Sequence, residues 1–325
     1  MKKLKYIFAT LILLGLVAAA LSVGWFNDTI KAPGPLAAEK LVYIAPGMHS
    51  RSMAEKLLAE GVINSETAFR LDARLQSRVE GLKAGEYQFA PHMSIADIII
   101  LLQSGKTYQH KITIPEGLMS IEIVNLINKE TALTGALTAL PPEGSLLPET
   151  YKFSYGDTRQ SLVDRMKKSM QDEMNALWLK RAPNFPLSES EAVVLASIVE
   201  KETALALERP RVAGVFLNRL HKGIPLQSDP TVIYALTLGQ SILGRPLTFD
   251  DLKKPSPYNT YKASGLPPTP IANPGKASLA AVLNPEKNDF IYFVADGSGG
   301  HAFAKTLQEH NRNVAKWRAL EKKAN

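Results

Sequence analysis

The chain has 325 residues, of which 45% are hydrophobic and 21% are charged, a composition typical of a globular protein rather than a disordered one. Its formal net charge is +7. Because its lysines and arginines form no run beyond the N-terminus and the last predicted helix, nucleic acid is not expected as a partner. The absence of cysteine excludes disulfides and thiolate metal sites.

The N-terminus has the pattern of a membrane helix. Three lysines among the first five residues precede an uncharged apolar run over residues 6–26, and about twenty such residues span a bilayer as one helix. The lysines predict a cytoplasmic N-terminus with the rest of the chain exported. The alanines at 18–20 also fit the cleavage site of a signal peptide. Because the apolar run continues past them to Trp25 and Phe26, we predict an uncleaved transmembrane anchor over residues 1–27.

A linker and a small domain are predicted next. Residues 28–40 contain a Lys-Ala-Pro-Gly-Pro segment, which is typical of a stiff polar linker. Residues 41–107 then predict a compact α+β module. Its elements are predicted from the spacing of apolar residues and from glycines that end helices. They are a strand at 41–44, helices at 52–60 and 65–79, a strand at 85–89, and a helix at 94–103 that ends before Gly105.

Residues 108–325 are predicted as a larger mixed α/β domain, so the fold class of the whole chain is α+β behind a transmembrane helix. Ser188 and Glu191 form a capping box at the start of one helix. Asp229 and Pro230 suit the N-cap and the first position of another. One strand is predicted at 110–114. A second, at 289–294, is expected to be buried and to be followed by a turn. Helices are predicted at 120–128, 158–181, 188–203, 211–221, from 229 onward, at 277–283 and at 305–323.

The segment 195–203 is the most informative part of the chain. It places Glu200 and Glu202, with Lys201 between them, at the end of an otherwise apolar helix. An apolar setting raises the pKa of a carboxyl group, and an acid that stays protonated near neutral pH is what a sugar-cleaving enzyme needs as a proton donor. Spacing alone leaves a second interpretation open, in which all three side chains are solvated at a helix end.

Two further segments offer polar groups to a substrate. Gln227, Ser228 and Asp229 are consecutive, although Asp229 also suits a helix cap. Asn259 and Tyr261 lie in a segment of aromatic and amide side chains that could hold a sugar ring or could pack a loop. The histidines form no HExxH pair and no Gly-x-Ser-x-Gly elbow occurs, so a zinc protease and a serine nucleophile are disfavoured and no metal site is expected.

Taken together, several blocks resemble the YceG-like family of endolytic murein transglycosylases, also called MltG. They occur in the family's order and, with the N-terminal anchor, cover most of the chain. The blocks are residues 143–151, 195–203, 226–234, 258–261, 265–268 and 292–301.

The resemblance implies a single-pass inner-membrane protein whose bulk faces the periplasm. The small module would be similar to a LysM domain, which binds peptidoglycan, and the larger domain would be catalytic, with a helical core around the catalytic glutamate. That glutamate is implied to be the first of the Val-Glu-Lys-Glu-Thr block, Glu200, with Glu202 as second choice. Gln227, Asn259 and Tyr261 become candidate sugar contacts, with Ser228 and Asp229 as possible supporting residues.

The implied reaction cuts glycan strands internally between N-acetylmuramic acid and N-acetylglucosamine and leaves 1,6-anhydro ends. It requires no metal or organic cofactor, and peptidoglycan synthases are possible partners on nascent glycan. Two alternatives stay open. A hydrolytic muramidase would need a second carboxylate, from Glu149 or Asp229, within about 5–10 Å of Glu200. A membrane-tethered, non-catalytic scaffold would need only the binding module.

Overall fold

The N-terminal helix α1 (Lys2–Lys31) is longer than the sequence pattern indicates. In the computed structural model, which describes residues 2–76 and 81–324, it is the one helix among those residues that is long and apolar enough to cross a membrane. The helix continues past the predicted end of the anchor at residue 27 to Lys31, and it takes in the first residues of the predicted linker. Phe26 and Ile30 explain the extension, since both pack into the core of the first unit.

The first unit comprises the chain up to His110 together with residues 153–156. Its two strands pair antiparallel, with Val42 opposite Tyr87. The last residues of the helix predicted at 65–79 lie outside the described residues. The elements are β1 (Lys40–Ile44), α2 (Ser50–Ala59), α3 (Glu66–Gln76), β2 (Gly85–Phe89) and α4 (Ile95–Ser104).

The core of this unit forms where one face of each strand meets the helices. Phe69, Tyr87 and Ile98 are fully buried, and the Tyr87 hydroxyl satisfies its polar end by donating to the Lys83 carbonyl at 2.9 Å. Local signals set the ends of α4: Ser94 accepts from the Asp97 amide at the N-cap, and Gly105 takes a left-handed conformation after the last turn.

The second unit comprises residues 111–152 and 157–325 and consists mainly of helices, with two small strand pairs. It begins with β3 (His110–Thr113), which pairs with β4 (Thr150–Phe153). The sequence patterns assign the β4 segment to the end of a loop. The helices are α5 (Ser120–Lys129), α6 (Arg159–Trp178), α7 (Glu189–Glu202), α8 (Arg209–His221), α9 (Asp229–Thr237), α10 (Lys276–Leu283) and α11 (Leu307–Ala324).

Two predictions about this unit need correction. The strand expected at 289–294 and the turn after it are present, but the strand, β5 (Tyr292–Ala295), begins three residues later and is half-buried rather than buried; it pairs antiparallel with β6 (His301–Ala304) in a hairpin. The N-cap of α9 is Ser228 rather than Asp229, which is already helical. In place of a capping bond, the Asp229 carboxylate accepts a hydrogen bond from a tyrosine in another loop.

Helix α7 lies in the core of the second unit. All of its residues from Val194 to Val199 are buried, and Leu195 and Ile198 pack with Phe216 and Val282 from α8 and α10. Because apolar side chains surround it along its length, α7 has few alternative positions. It therefore carries its last turn, with both glutamates, to a fixed place.

A capping box fixes the beginning of α7. The Ser188 hydroxyl accepts from the Glu191 amide at 3.3 Å, and the Glu191 carboxylate accepts from the Ser188 amide at 2.8 Å. Two of the four unpaired amides at the helix start are satisfied in this way.

Replacing Ser188 with Ala should lower the free energy of unfolding by about 1 kcal/mol, the usual cost of losing a polar N-cap. Denaturant unfolding of the full-length chain in detergent would measure it. Ser241→Ala, at an exposed serine in a loop of the same unit, is the control and should stay close to wild type. Equal stability of the two variants would contradict the capping role.

Candidate active site

The last turn of α7 presents Glu200 and Glu202 to different surroundings. Successive residues of an α-helix are rotated by about 100°, so side chains two positions apart point to nearly opposite sides. Residues from different elements therefore surround each carboxyl group. The two environments differ in partners and in charge.

Glu200 lies in a closed polar cluster. Its side chain is 5% exposed and its Oε1 accepts from Arg209 Nη2 at 3.1 Å. Its Oε2 accepts from the Gly275 amide at 2.9 Å. Arg209 also lies 3.4 Å from Glu116 Oε2, so one buried guanidinium serves two carboxylates. Both oxygens of Glu200 are thus held by protein donors.

Two glycines allow this cluster to close. A Cβ at Gly275 would overlap the Glu116 carboxylate, and a Cβ at Gly117 would lie 3.3 Å from Glu200 Cγ. Gly117 also has a φ of +74°, which favours glycine. Lys201 Nζ donates to the Gly117 carbonyl at 3.1 Å and so ties the same turn to the end of α7.

Glu202 has the environment of a proton donor. Its Oε1 accepts from the Ser228 hydroxyl at 2.5 Å. Burial, the largest effect, raises the pKa of Glu202 to about 7; the Ser228 hydrogen bond opposes it, the negative charge of Asp229 adds to it, and His301 opposes it. A carboxyl group with this pKa is protonated for much of the time near neutral pH, as general acid catalysis requires.

Predicted supporting residues gather around Glu202 rather than Glu200. Ser228 is buried and contacts Glu202 directly. Tyr261 donates its hydroxyl to Asp229 Oδ1 at 2.7 Å. Burial and this hydrogen bond raise the pKa of Tyr261, and the charges of Asp229 and Glu202 add to the effect. Gln227 is exposed and accepts from Arg219 Nη2 at 2.5 Å.

Asn259 packs its loop and has no exposed surface with which to contact a sugar. It is fully buried, and its Nδ2 donates to the carbonyls of Leu252 and Lys254 at 3.0 and 2.7 Å. Its Oδ1 accepts from the Tyr261 amide at 3.0 Å. Asn259 thereby holds the loop that positions Tyr261. Glu149, a candidate second carboxylate for hydrolysis, pairs with Lys276 at 3.2 Å.

The sequence patterns give no role to Glu143, which is a second unusual acid. Burial raises the pKa of Glu143 to about 7, although its Oε2 accepts from the Ser120 amide at 3.0 Å and from Asn273 Nδ2 at 3.3 Å. It lines a cleft of about 470 Å³ with Tyr234 and Tyr258. Its place in the first of the family-like blocks was the only signal in the sequence.

Within residues 2–76 and 81–324, no group of three or more His, Asp or Glu residues is arranged to hold a metal ion. A shielded carboxylic acid with a raised pKa, beside hydroxyl and carboxyl groups at the end of a core helix, is the arrangement expected of an acid–base enzyme.

The chain belongs to the YceG-like family, whose model matches residues 42–316. A Bacillus subtilis relative named endolytic murein transglycosylase is 32% identical, over 85% of this chain and 84% of its own length. A relative of the same name from Streptococcus pneumoniae is 29% identical over 95% of this chain, which spans 64% of that longer protein. The crystal structure of a YceG-like protein from Listeria monocytogenes is 32% identical, with a TM-score of 0.51 over 85% of this chain and 99% of that one.

The raised pKa of Glu202 predicts a stability effect of definite sign. Its folded-state pKa of about 7 lies above the ordinary value of 4.5, so the folded state holds this proton more tightly than the unfolded state. The stabilising contribution is complete below pH 4.5 and is lost as pH rises through 7. Glu202→Gln removes the titration. Relative to wild type, the variant should therefore gain up to about 3 kcal/mol of unfolding free energy between pH 4.5 and pH 8.

Denaturant unfolding at several pH values would measure this gain. Glu55→Gln, at an exposed glutamate on α2, controls for the loss of one carboxylate elsewhere. A difference between Glu202→Gln and wild type that is the same at every pH would contradict the assigned environment.

Proposed function

We propose that this chain is a membrane-anchored endolytic lytic transglycosylase. It cleaves the bond between N-acetylmuramic acid and N-acetylglucosamine within peptidoglycan strands, including nascent ones. The names of its relatives support the activity. The structural observation that carries the proposal is Glu202, whose pKa is raised to about 7 beside Ser228.

Glu202 performs both proton transfers of this reaction. The neutral acid protonates the bridging glycosidic oxygen while positive charge develops at C1 of the muramic acid. The resulting carboxylate, which Ser228 stabilises by donating its hydroxyl hydrogen bond, takes the proton from the C6 hydroxyl of the same sugar. That oxygen attacks C1 and closes the 1,6-anhydro ring. No water is consumed, and one carboxylic acid does the work that hydrolytic glycosidases divide between two.

The geometry favours Glu202 over Glu200, the residue that the resemblance selects. Glu200 accepts from Arg209 and from the Gly275 amide, so each of its two oxygens already has a protein donor, one of them a charged guanidinium. Removing one partner of a buried ion pair is costly. Glu200 therefore suits the task of holding the end of α7 to the Gly275 turn. The exposed Gln227 and the half-buried Tyr261 remain the proposed sugar contacts.

Substitution of the two glutamates separates these roles. Glu202→Gln should lose on the order of 10²–10⁴-fold in rate, because a glutamine cannot transfer the proton. Glu200→Gln should destabilise the fold, since Arg209 loses a charged partner, while its folded fraction still cuts. Release of muropeptides from purified glycan strands by the full-length protein in detergent gives the rates, and circular dichroism gives the folded fraction.

The products and the variants together decide between the alternatives. Ends that lack one water by mass indicate the anhydro product, whereas reducing ends indicate a muramidase. Binding without any cleavage would indicate a scaffold. An inactive, well-folded Glu200→Gln beside an active Glu202→Gln would return the acid's role to Glu200.

Helix α1 supports an uncleaved anchor in the inner membrane, with the rest of the chain in the periplasm. A signal sequence also satisfies the criteria of length and composition. However, α1 is continuous from Lys2 to Lys31, and its end packs through Phe26 and Ile30 into the core of the first unit. Cleavage after the alanines at 18–20 would divide a helix whose second half belongs to a folded domain.

The first unit suits a LysM-like role in binding peptidoglycan. Both α2 and α3 lie between its two strands in the chain, and the strands form one antiparallel sheet. A cleft of about 660 Å³ lies between the start of α2 and α3, with Ser50, Thr67, Arg70 and Leu71 in its lining. Hydroxyl and guanidinium groups beside apolar surface could hold a sugar chain.

Leu71→Glu should weaken binding to peptidoglycan several-fold, because it places a charge in this cleft. Cosedimentation with insoluble peptidoglycan, in a Glu202→Gln background that does not digest it, would measure the effect. Leu58→Glu is the matched control. Leu58 is 42% exposed and Leu71 is 43% exposed, but Leu58 is not among the residues lining the cleft. Equal binding by both variants would exclude the cleft.

A further inference from the structure

Asp229 lies beside the proposed acid and has a partner of its own. It is the first residue of α9 and directly follows Ser228, which is buried against Glu202. Asp229 itself is exposed, and its Oδ1 accepts from the Tyr261 hydroxyl at 2.7 Å. Two adjacent residues thus have different partners: Ser228 presents its hydroxyl to Glu202, and Asp229 presents a solvent-exposed carboxylate to Tyr261.

Electrostatic effects show that these groups act on one another. The negative charge of Asp229 contributes to the raised pKa of Glu202, and both acids contribute to the raised pKa of Tyr261. The other charged group that acts on Glu202 is His301 from β6, which Glu208 holds at 2.7 Å. Arg219 from α8 faces Tyr261. Two carboxyl groups in such different settings, one shielded and one exposed, suit two different tasks.

The reaction proposed above leaves one task without a residue. As the glycosidic bond breaks, C1 and the ring oxygen gain positive charge, and Glu202 cannot neutralise it while it is still donating its proton. Fixed charges directed at the developing charge contribute strongly to catalysis. A carboxylate next to the acid, held in place before substrate arrives, fits this requirement.

We propose that Asp229, oriented by Tyr261, is the anionic group that stabilises the positive charge on the sugar ring as the bond to C1 breaks. This inference rests on the proposed transglycosylase activity. Asp229 is a catalytic residue in this scheme because its charge faces the reacting atoms. Besides its proposed contact with the sugar, Tyr261 acts on the developing charge through Asp229, and in that second task it is a positioning residue.

Asp229 forms no bond in this step. The electron pair of the C1–O bond goes to the leaving oxygen, which receives the Glu202 proton. A new bond forms between O6 and C1, and the O6 proton goes to Glu202. Asp229 begins and ends as a carboxylate that accepts from Tyr261.

Asp229→Asn tests the proposal. The full-length variant in detergent should lose on the order of 10²-fold in kcat on purified glycan strands, the scale for losing one electrostatic stabiliser, with little change in KM. Its high-pH limb of activity should also move to lower pH, because Glu202 no longer has a negative neighbour and loses its proton more readily. The moved limb reports the charge that Asp229 places near Glu202, whereas the loss of kcat at unchanged KM reports its action on the developing positive charge.

Two further variants complete the test. Tyr261→Phe keeps the charge of Asp229 but removes the hydroxyl that orients its carboxylate. This variant should lower kcat less than Asp229→Asn does. Asp250→Asn removes one negative charge at an aspartate whose side chain is 86% exposed, and should behave as wild type. Thermal unfolding confirms that each variant is folded.

Three results would overturn the proposal. The first is a folded Asp229→Asn with wild-type kcat and an unmoved pH limb. The second is a loss confined to KM, which would make Asp229 a binding group only. The third is a selective loss of products with reducing ends, which would make Asp229 a base that activates water. If wild type cuts no glycan at all, the proposed function fails instead, so the two failures are distinguishable.

Discussion

Burial of α7 within the second unit is the constraint on which the site depends. Its apolar residues from Val194 to Val199 are enclosed, so the helix cannot shift to relieve the polar groups in its last turn. The cost of desolvating two carboxyl groups is met differently on its two sides. Glu200 is compensated by a guanidinium and an amide, whereas Glu202 has mainly a serine hydroxyl, and burial raises the pKa of Glu202 to about 7. In the proposed mechanism, structural support and chemical function thus fall two positions apart in one helix turn.

Elements set by local signals were accessible from the sequence. The ends of α4 follow from Ser94 and Gly105, and the beginning of α7 follows from the Ser188–Glu191 capping box. Strand β4 was not accessible in this way, because its identity depends on pairing with β3. The N-cap of α9 was misassigned because the Asp229 carboxylate is bonded to Tyr261, 32 positions away in the chain.

The same limit applies to the choice between the two glutamates. Helical spacing places both beside apolar rows, so it cannot tell which one is paired. The pairing comes from Arg209, which lies 9 positions after Glu200 and also bonds Glu116, 93 positions before Arg209. The counterpart for Glu202 is Ser228, 26 positions further on. Residue types near the site could be named in advance, but their grouping around Glu202 required the fold.

The junction of α1 with the first unit bears on the proposed membrane anchor. Its helical backbone is continuous from Lys2 to Lys31, and the Ile30 side chain is buried in the core of the first unit. For an anchor of this kind, the helix would leave no flexible linker between the bilayer and the first unit, and it would keep that unit at a constant distance from the headgroups.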